Sequence, residues 1–169
     1  MRGPCSFCKS ECCKTYTISV TIFDIIRIME ATGKPWQDFA VLHQARLLSF
    51  DPDTTIDMED DGWTYLLGIK SHPCVFLEKN LCSIHNAAPL SCKRYPFRLD
   101  GSLNARFCPL LSNLLFRFKK PDIPARQMEG EISLHKDVVK EWNKKPGKKA
   151  DCIQFLLEKS KGLNGTSSI

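Results

Sequence analysis

Nine cysteines occur in 169 residues, and eight of them fall into two groups: Cys5, Cys8, Cys12 and Cys13, then Cys74, Cys82, Cys92 and Cys108. A thiolate is a soft, charged ligand suited to zinc, copper(I) and iron–sulfur clusters. All eight cysteines are therefore candidate metal and cofactor ligands. Cys5 and Cys8 have the Cys-x-x-Cys spacing at which a tight turn brings two sulfurs to one metal while its N–H groups bond to them. Cys12 and Cys13 are adjacent, and adjacent side chains are expected to diverge. The pair is thus expected to be divided between two centres or between two atoms of one cluster. Two zinc sites, two cubane clusters, one of each, or a single cluster with spare structural cysteines all satisfy the count. The second group matches neither the bacterial nor the plant ferredoxin spacing.

Nearby residues carry weaker claims. His85, three positions after Cys82, could ligate a metal, but an ordinary hydrogen-bonded histidine is favoured where eight thiols suffice. Lys93 and Arg94 could counter the charge of a thiolate-rich centre, or simply face solvent. Phe76, Tyr95 and Phe97 read as packing around the site. Cys152 shares a helix face with Phe155 and Leu156 and behaves there as a small hydrophobe, outside the metal set. His72 has a slight claim, His43 and His135 less. No catalytic residue can be assigned.

The elements that must position these groups follow from pattern. Residues 15–20 read as extended, and Thr21-Ile22-Phe23-Asp24 has the form of a helix start. A helix over 22–31 carries the stripe Ile22, Ile25, Ile26 and Met29, Gly33 stops it, and Pro35 opens a second helix through Trp36, Phe39 and Leu42. Residues 63–69 read as a strand. Strands at 74–77 and 81–84 flank a turn at Glu78-Lys79-Asn80, which places Cys74 and Cys82 on either side of a hairpin. Asn86 is expected to cap a helix carrying Ala87, Ala88, Leu90 and Cys92, ended by Tyr95-Pro96. An apolar helix through Leu110, Leu111, Leu114 and Leu115 follows Cys108-Pro109, and helices over 125–144 and 150–161 close the chain.

The composition, 43% hydrophobic, suits one domain able to bury a core. The chain shows neither a secretory apolar run nor a stretch long enough to span a bilayer, so it reads as cytoplasmic. In that reducing compartment, and with an odd cysteine count, a disulfide scaffold fits poorly. The net charge of +5 is unevenly spread. Residues 51–61 hold six acids and no base, whereas 117–149 hold ten Lys or Arg against five acids. The basic segment could meet an acidic partner, but its interleaved charges favour a solvated helix face, and the lack of interleaved aromatics disfavours nucleic acid.

The run Cys5-x-x-Cys8-x-x-x-Cys12-Cys13, then Cys74-Val75-Phe76-Leu77, Cys82-Ser83-Ile84-His85, Pro89-Leu90-Ser91-Cys92-Lys93-Arg94-Tyr95-Pro96-Phe97 and Cys108, resembles the YkgJ-like, CxxCxxCC family of zinc- or iron-chelating domains. Many members are labelled iron–sulfur proteins, and a related cysteine domain occurs in flagellin lysine N-methylases. One extra residue separates Cys8 from Cys12, and His85 and Ala88 stand where Tyr and Arg are common. The elements read from the pattern, with the cysteine groups, give an expected α+β fold of mainly short helices and a small antiparallel hairpin or sheet around a cysteine-ligated metal centre. Residues 1–118 are expected to form that metal-binding domain, 119–163 a helical extension packed on it, and 164–169 a flexible tail. The leading functional expectation is an iron–sulfur cluster, [4Fe–4S] favoured, in electron transfer or as an oxidoreductase. A zinc-binding structural or interaction module is the alternative, and a methyltransferase-related accessory domain ranks lowest. A redox or protein partner is expected, and a membrane is not.

Overall fold

The computed structural model describes residues 10–48, 51–104, 106 and 108–163. Cys5, Cys8 and the expected tail lie outside them. A short helix α1 (Glu11–Thr15) and strand β1 (Ile18–Ser19) lead into helix α2 (Ile22–Thr32). The Thr21 hydroxyl accepts from the Asp24 N–H and the Asp24 carboxylate accepts from the Thr21 N–H, so two otherwise orphaned donors are satisfied reciprocally. Gly33, at φ 67°, closes the helix with its N–H on the Met29 carbonyl.

The helix expected after Pro35 does not form. Trp36–Asp38 makes one 3₁₀ turn, and Ala40–Gln44 is strand β2. Ala40 and Leu42 are buried with a period of two, and every β2 residue pairs with the strand β4 (Thr64–Ile69). A complete ladder to a core strand outweighs the local helix signal. Strand β3 (Ile56–Asp57) pairs with Tyr65 and Thr64, while β1 pairs with Ile69 and Gly68. Thus β1 and β3 share one edge of β4 and β2 takes the other, all antiparallel. Gly68 has to be glycine: a Cβ there would stand 2.4 Å from His43 Cδ2 and 2.8 Å from the Ile18 carbonyl.

The 74–84 hairpin is shorter than expected. Strands β5 (Leu77–Glu78) and β6 (Leu81–Cys82) are joined by Lys79 and Asn80, both at positive φ, the backbone a two-residue hairpin turn requires. Cys74 lies in a turn ahead of β5, with the Leu77 N–H on its carbonyl. Helix α3 (Leu90–Arg94) starts later than an Asn86 cap would give, because the residue before Pro89 is held extended after a 3₁₀ turn at His85–Ala87. Helices α4 (Leu110–Phe116), α5 (Ala125–Asn143) and α6 (Lys149–Lys161) complete an α+β fold.

One hydrophobic core joins Ile22, Ile25 and Ile28 of α2, Phe39, Leu67 and Ile69 of the sheet region, and Val139, Trp142, Ile153 and Leu156 of α5 and α6. Burying each such side chain contributes about 1.5–3 kcal/mol. The α5 C-terminus also finishes the free edge of β3. Asn143 accepts from the Asp57 N–H at 3.0 Å and donates to the Thr55 carbonyl at 2.8 Å, while Trp142 Nε1 donates to the Asp57 carbonyl at 2.7 Å. The basic and acidic segments meet each other: Lys136 Nζ is 2.7 Å from Asp51, and Lys149 Nζ lies 3.9 Å from the centre of the Tyr65 ring. Among the described residues no helix is long and apolar enough to cross a membrane.

Candidate metal centre

Three segments far apart in sequence converge on one region. Ser10, in the left-handed conformation at φ 58°, sends its hydroxyl to the Asn80 carbonyl at 2.6 Å, which fastens the start of α1 to the hairpin tip. The Cys74 N–H donates to the Cys13 carbonyl at 2.8 Å, and Thr17 Oγ1 bonds His72 Nε2 at 2.9 Å. Tyr16 meets Tyr95 edge to face at 5.9 Å, linking the end of α1 to the end of α3. Phe76, buried against Phe39 at 5.4 Å, pins the Cys74 turn to the core.

Asp24 fixes the third segment. Buried at the start of α2, it closes the capping box, pairs with Arg27 and accepts the Leu90 N–H at 3.0 Å. That last bond holds the first residue of α3 and thereby sets where Cys92 stands. Arg27 also reaches Glu131 of α5, whose carboxylate accepts from the Thr21 hydroxyl at 2.6 Å. Burial and the charge of Asp24 push the Glu131 carboxyl up, against the opposing pull of Thr21 and Arg27. His135 Nδ1 accepts from the Ile22 N–H at 3.3 Å, and burial pushes its pKa down to about 4.

The thiols sense one another. Burial pushes Cys74 and Cys82 up, with further contributions from Cys82 and Cys12 at Cys74 and from Cys12 at Cys82. Cys92 is pushed up by burial first, then by Asp24, Cys74, Cys82 and Cys12. Cys12 is raised first by its bond to Cys13, then by burial. Backbone N–H groups work the other way. The N–H groups of Phe76 and Ile84 favour the thiolate at Cys74 and Cys82 respectively. The Cys-x-x-Cys knuckle expected at Cys5 and Cys8 lies outside the described residues. Cys92 is solvent-exposed.

Cys12 and Cys13 do not diverge: their sulfurs are 3.9 Å apart, with Cys13 also packed against the core. Cys108, half-buried, precedes α4, which is tied to the segment after α3 by Phe116 against Phe97 at 6.0 Å. Cys152 is fully buried in α6, its thiol pushed up to about 12 by burial. Arg94 is buried too, and donates to the carbonyls of Arg98, Leu99 and Ile123, so it neither counters the thiols nor faces solvent. Lys93 donates to the Asn86 carbonyl, and His85 is exposed beside a hollow of about 320 Å³ that also borders Cys82.

In chemistry the donor set fits a soft metal, with five thiols on the three segments that meet here. Among the described residues no three His, Cys, Asp or Glu side chains converge closely enough to hold one ion. A family model described as "Putative zinc- or iron-chelating domain" matches residues 4–109, the span that holds all eight cysteines of the two groups. The chain belongs to the CxxCxxCC family. No curated protein and no solved structure matches it. In this CxxCxxCC protein the matched span ends just before α4, while the core continues through α5 and α6. The chain is accordingly a cysteine-ligated protein of a zinc- or iron-chelating type.

Proposed function

We propose that this CxxCxxCC protein binds an iron–sulfur cluster, [4Fe–4S] favoured, and serves in electron transfer. Four thiolates drawn from Cys5, Cys8, Cys12, Cys13, Cys74, Cys82, Cys92 and Cys108 would hold such a cluster. The reading is supported by the meeting of α1 and the 74–82 hairpin, where the Cys74 N–H bonds the Cys13 carbonyl at 2.8 Å beside the Cys12 and Cys13 sulfurs, within the span matched by the zinc- or iron-chelating family. Such a cluster supplies one-electron redox chemistry at a potential set by charge, hydrogen bonds to sulfur and exposure. The chain's own residues act on each of these. The N–H groups of Phe76 and Ile84 favour negative charge at Cys74 and Cys82, Asp24 adds negative charge beside Cys92, and Cys92 is itself exposed to solvent.

One distance favours the second reading, a structural zinc module. The edge of a zinc tetrahedron is about 3.8 Å when Zn–S is about 2.3 Å, close to the 3.9 Å between Cys12 and Cys13. Anaerobic isolation with iron, acid-labile sulfide and zinc assays separates the two. Equimolar iron and sulfide in a brown protein supports the cluster; a colourless protein holding zinc alone excludes it.

A further inference from the structure

Helix α4 is built inside out. Ser112 and Phe116, one turn apart, are buried, and Phe116 meets Phe97. The opposite face carries Leu110 (87% exposed), Leu111 (52%), Leu114 (51%) and Leu115 (39%), and Phe118 (85%) continues it past the C-terminus. At 100° per residue the four leucines sweep about 140° of the helix surface, an apolar arc as wide as one that ordinarily faces a core. Arg117 and Lys120 are exposed directly beside it, and Lys119 pairs with Asp122 at 3.0 Å.

We propose that α4 and Phe118 dock on the surface of a membrane that carries anionic lipid. The helix is about 10 Å long, far too short to span a bilayer, but its pattern is that of a segment lying in the interface plane: apolar side chains down, basic side chains at the headgroups. Leu110 and Phe118, at the two ends of the segment along the chain, are the most exposed, so the face protrudes and suits a deformable surface. The basic flank gives charge complementarity to anionic headgroups. The same flank opposes a second copy, because pairing two α4 faces about a two-fold axis would bring like charges together in a desolvated contact. The anchors are leucines, which are under-represented among the residues that dominate protein–protein contacts. This surface is independent of which metal the cysteines hold.

The test uses the full chain and sedimentation with vesicles of phosphatidylcholine, alone or with phosphatidylserine as roughly a third of the lipid. The protein should co-sediment with the phosphatidylserine vesicles, and much less with phosphatidylcholine or in high salt. Combining Leu110→Gln, Leu114→Gln and Phe118→Gln should weaken binding roughly tenfold or more, as should Arg117→Gln with Lys120→Gln. All five side chains are exposed, so melting curves should stay as in the native chain. Absence of binding to the phosphatidylserine vesicles overturns the proposal, and so does binding that the apolar variant leaves unchanged. A dimer that the apolar variant converts to monomer, with no vesicle binding, assigns the face to a second copy instead.

Discussion

Asp24 does more for the site than any residue outside the cysteines, because one buried carboxylate caps α2, pairs with Arg27 and anchors the first residue of α3. Asp24→Ala should cost about 2–4 kcal/mol in urea unfolding, from the lost cap and from buried donors left unpaired. It should also lower metal retention by freeing Cys92, whereas Cys152→Ala should leave metal content unchanged. His135 gives a pH signature. Its folded pKa of about 4 lies below the value near 6.5 it has when unfolded, so the unfolded chain binds the extra proton. Stability should therefore fall as pH drops from about 6.5 towards 4, by up to about 3 kcal/mol, with Glu131 offsetting part of the loss in the opposite sense. His135→Gln should flatten that slope in denaturant melts between those pH values. At this scale the family was legible, because its cysteine run is a rare and local pattern. The second role of Asp24 was not, since Leu90 is 66 positions away and leaves no mark on the capping motif. Nor was the convergence of Cys12 and Cys13, which depends on a short helix that residue types alone do not specify.

Elements with strong local chemistry were readable: the Thr21 cap and Gly33 stop of α2, strand β4, the positive-φ turn at Lys79-Asn80, and helices α5 and α6. Those decided by long-range pairing were not. Trp36, Phe39 and Leu42 have a helix-like spacing, yet the open edge of β4 takes residues 40–44 as a strand. The same dependence makes β3 sensitive to a helix far along the chain, since only two residues pair with β4 and the outer side is completed by Trp142 and Asn143. Trp142→Ala should destabilise the protein by about 3–5 kcal/mol. In hydrogen exchange, the amides of Ile56 and Asp57 should lose protection before those of β2.

Across the whole molecule, the segments that first read as binding surfaces of opposite sign are largely each other's partners. Lys136 meets Asp51 and Lys149 covers Tyr65, so the basic C-terminal helices are held on the acidic loop and the sheet. These helices also supply Val138, Val139, Trp142, Ile153 and Leu156 to the one core. A chain ending at residue 118 should therefore lack a cooperative thermal transition by circular dichroism, although it keeps every cysteine of the two groups. The central claim is that the two cysteine groups build one centre out of α1, the hairpin and α3. It is tested most directly by iron and acid-labile sulfide content in single Cys12→Ser, Cys74→Ser, Cys82→Ser and Cys92→Ser proteins, assayed anaerobically beside Cys152→Ser. One shared centre predicts that each of the four substitutions depletes the whole complement of metal while Cys152→Ser retains it. Loss of only half the metal on replacing Cys12, with the other half lost on replacing Cys82, would contradict it.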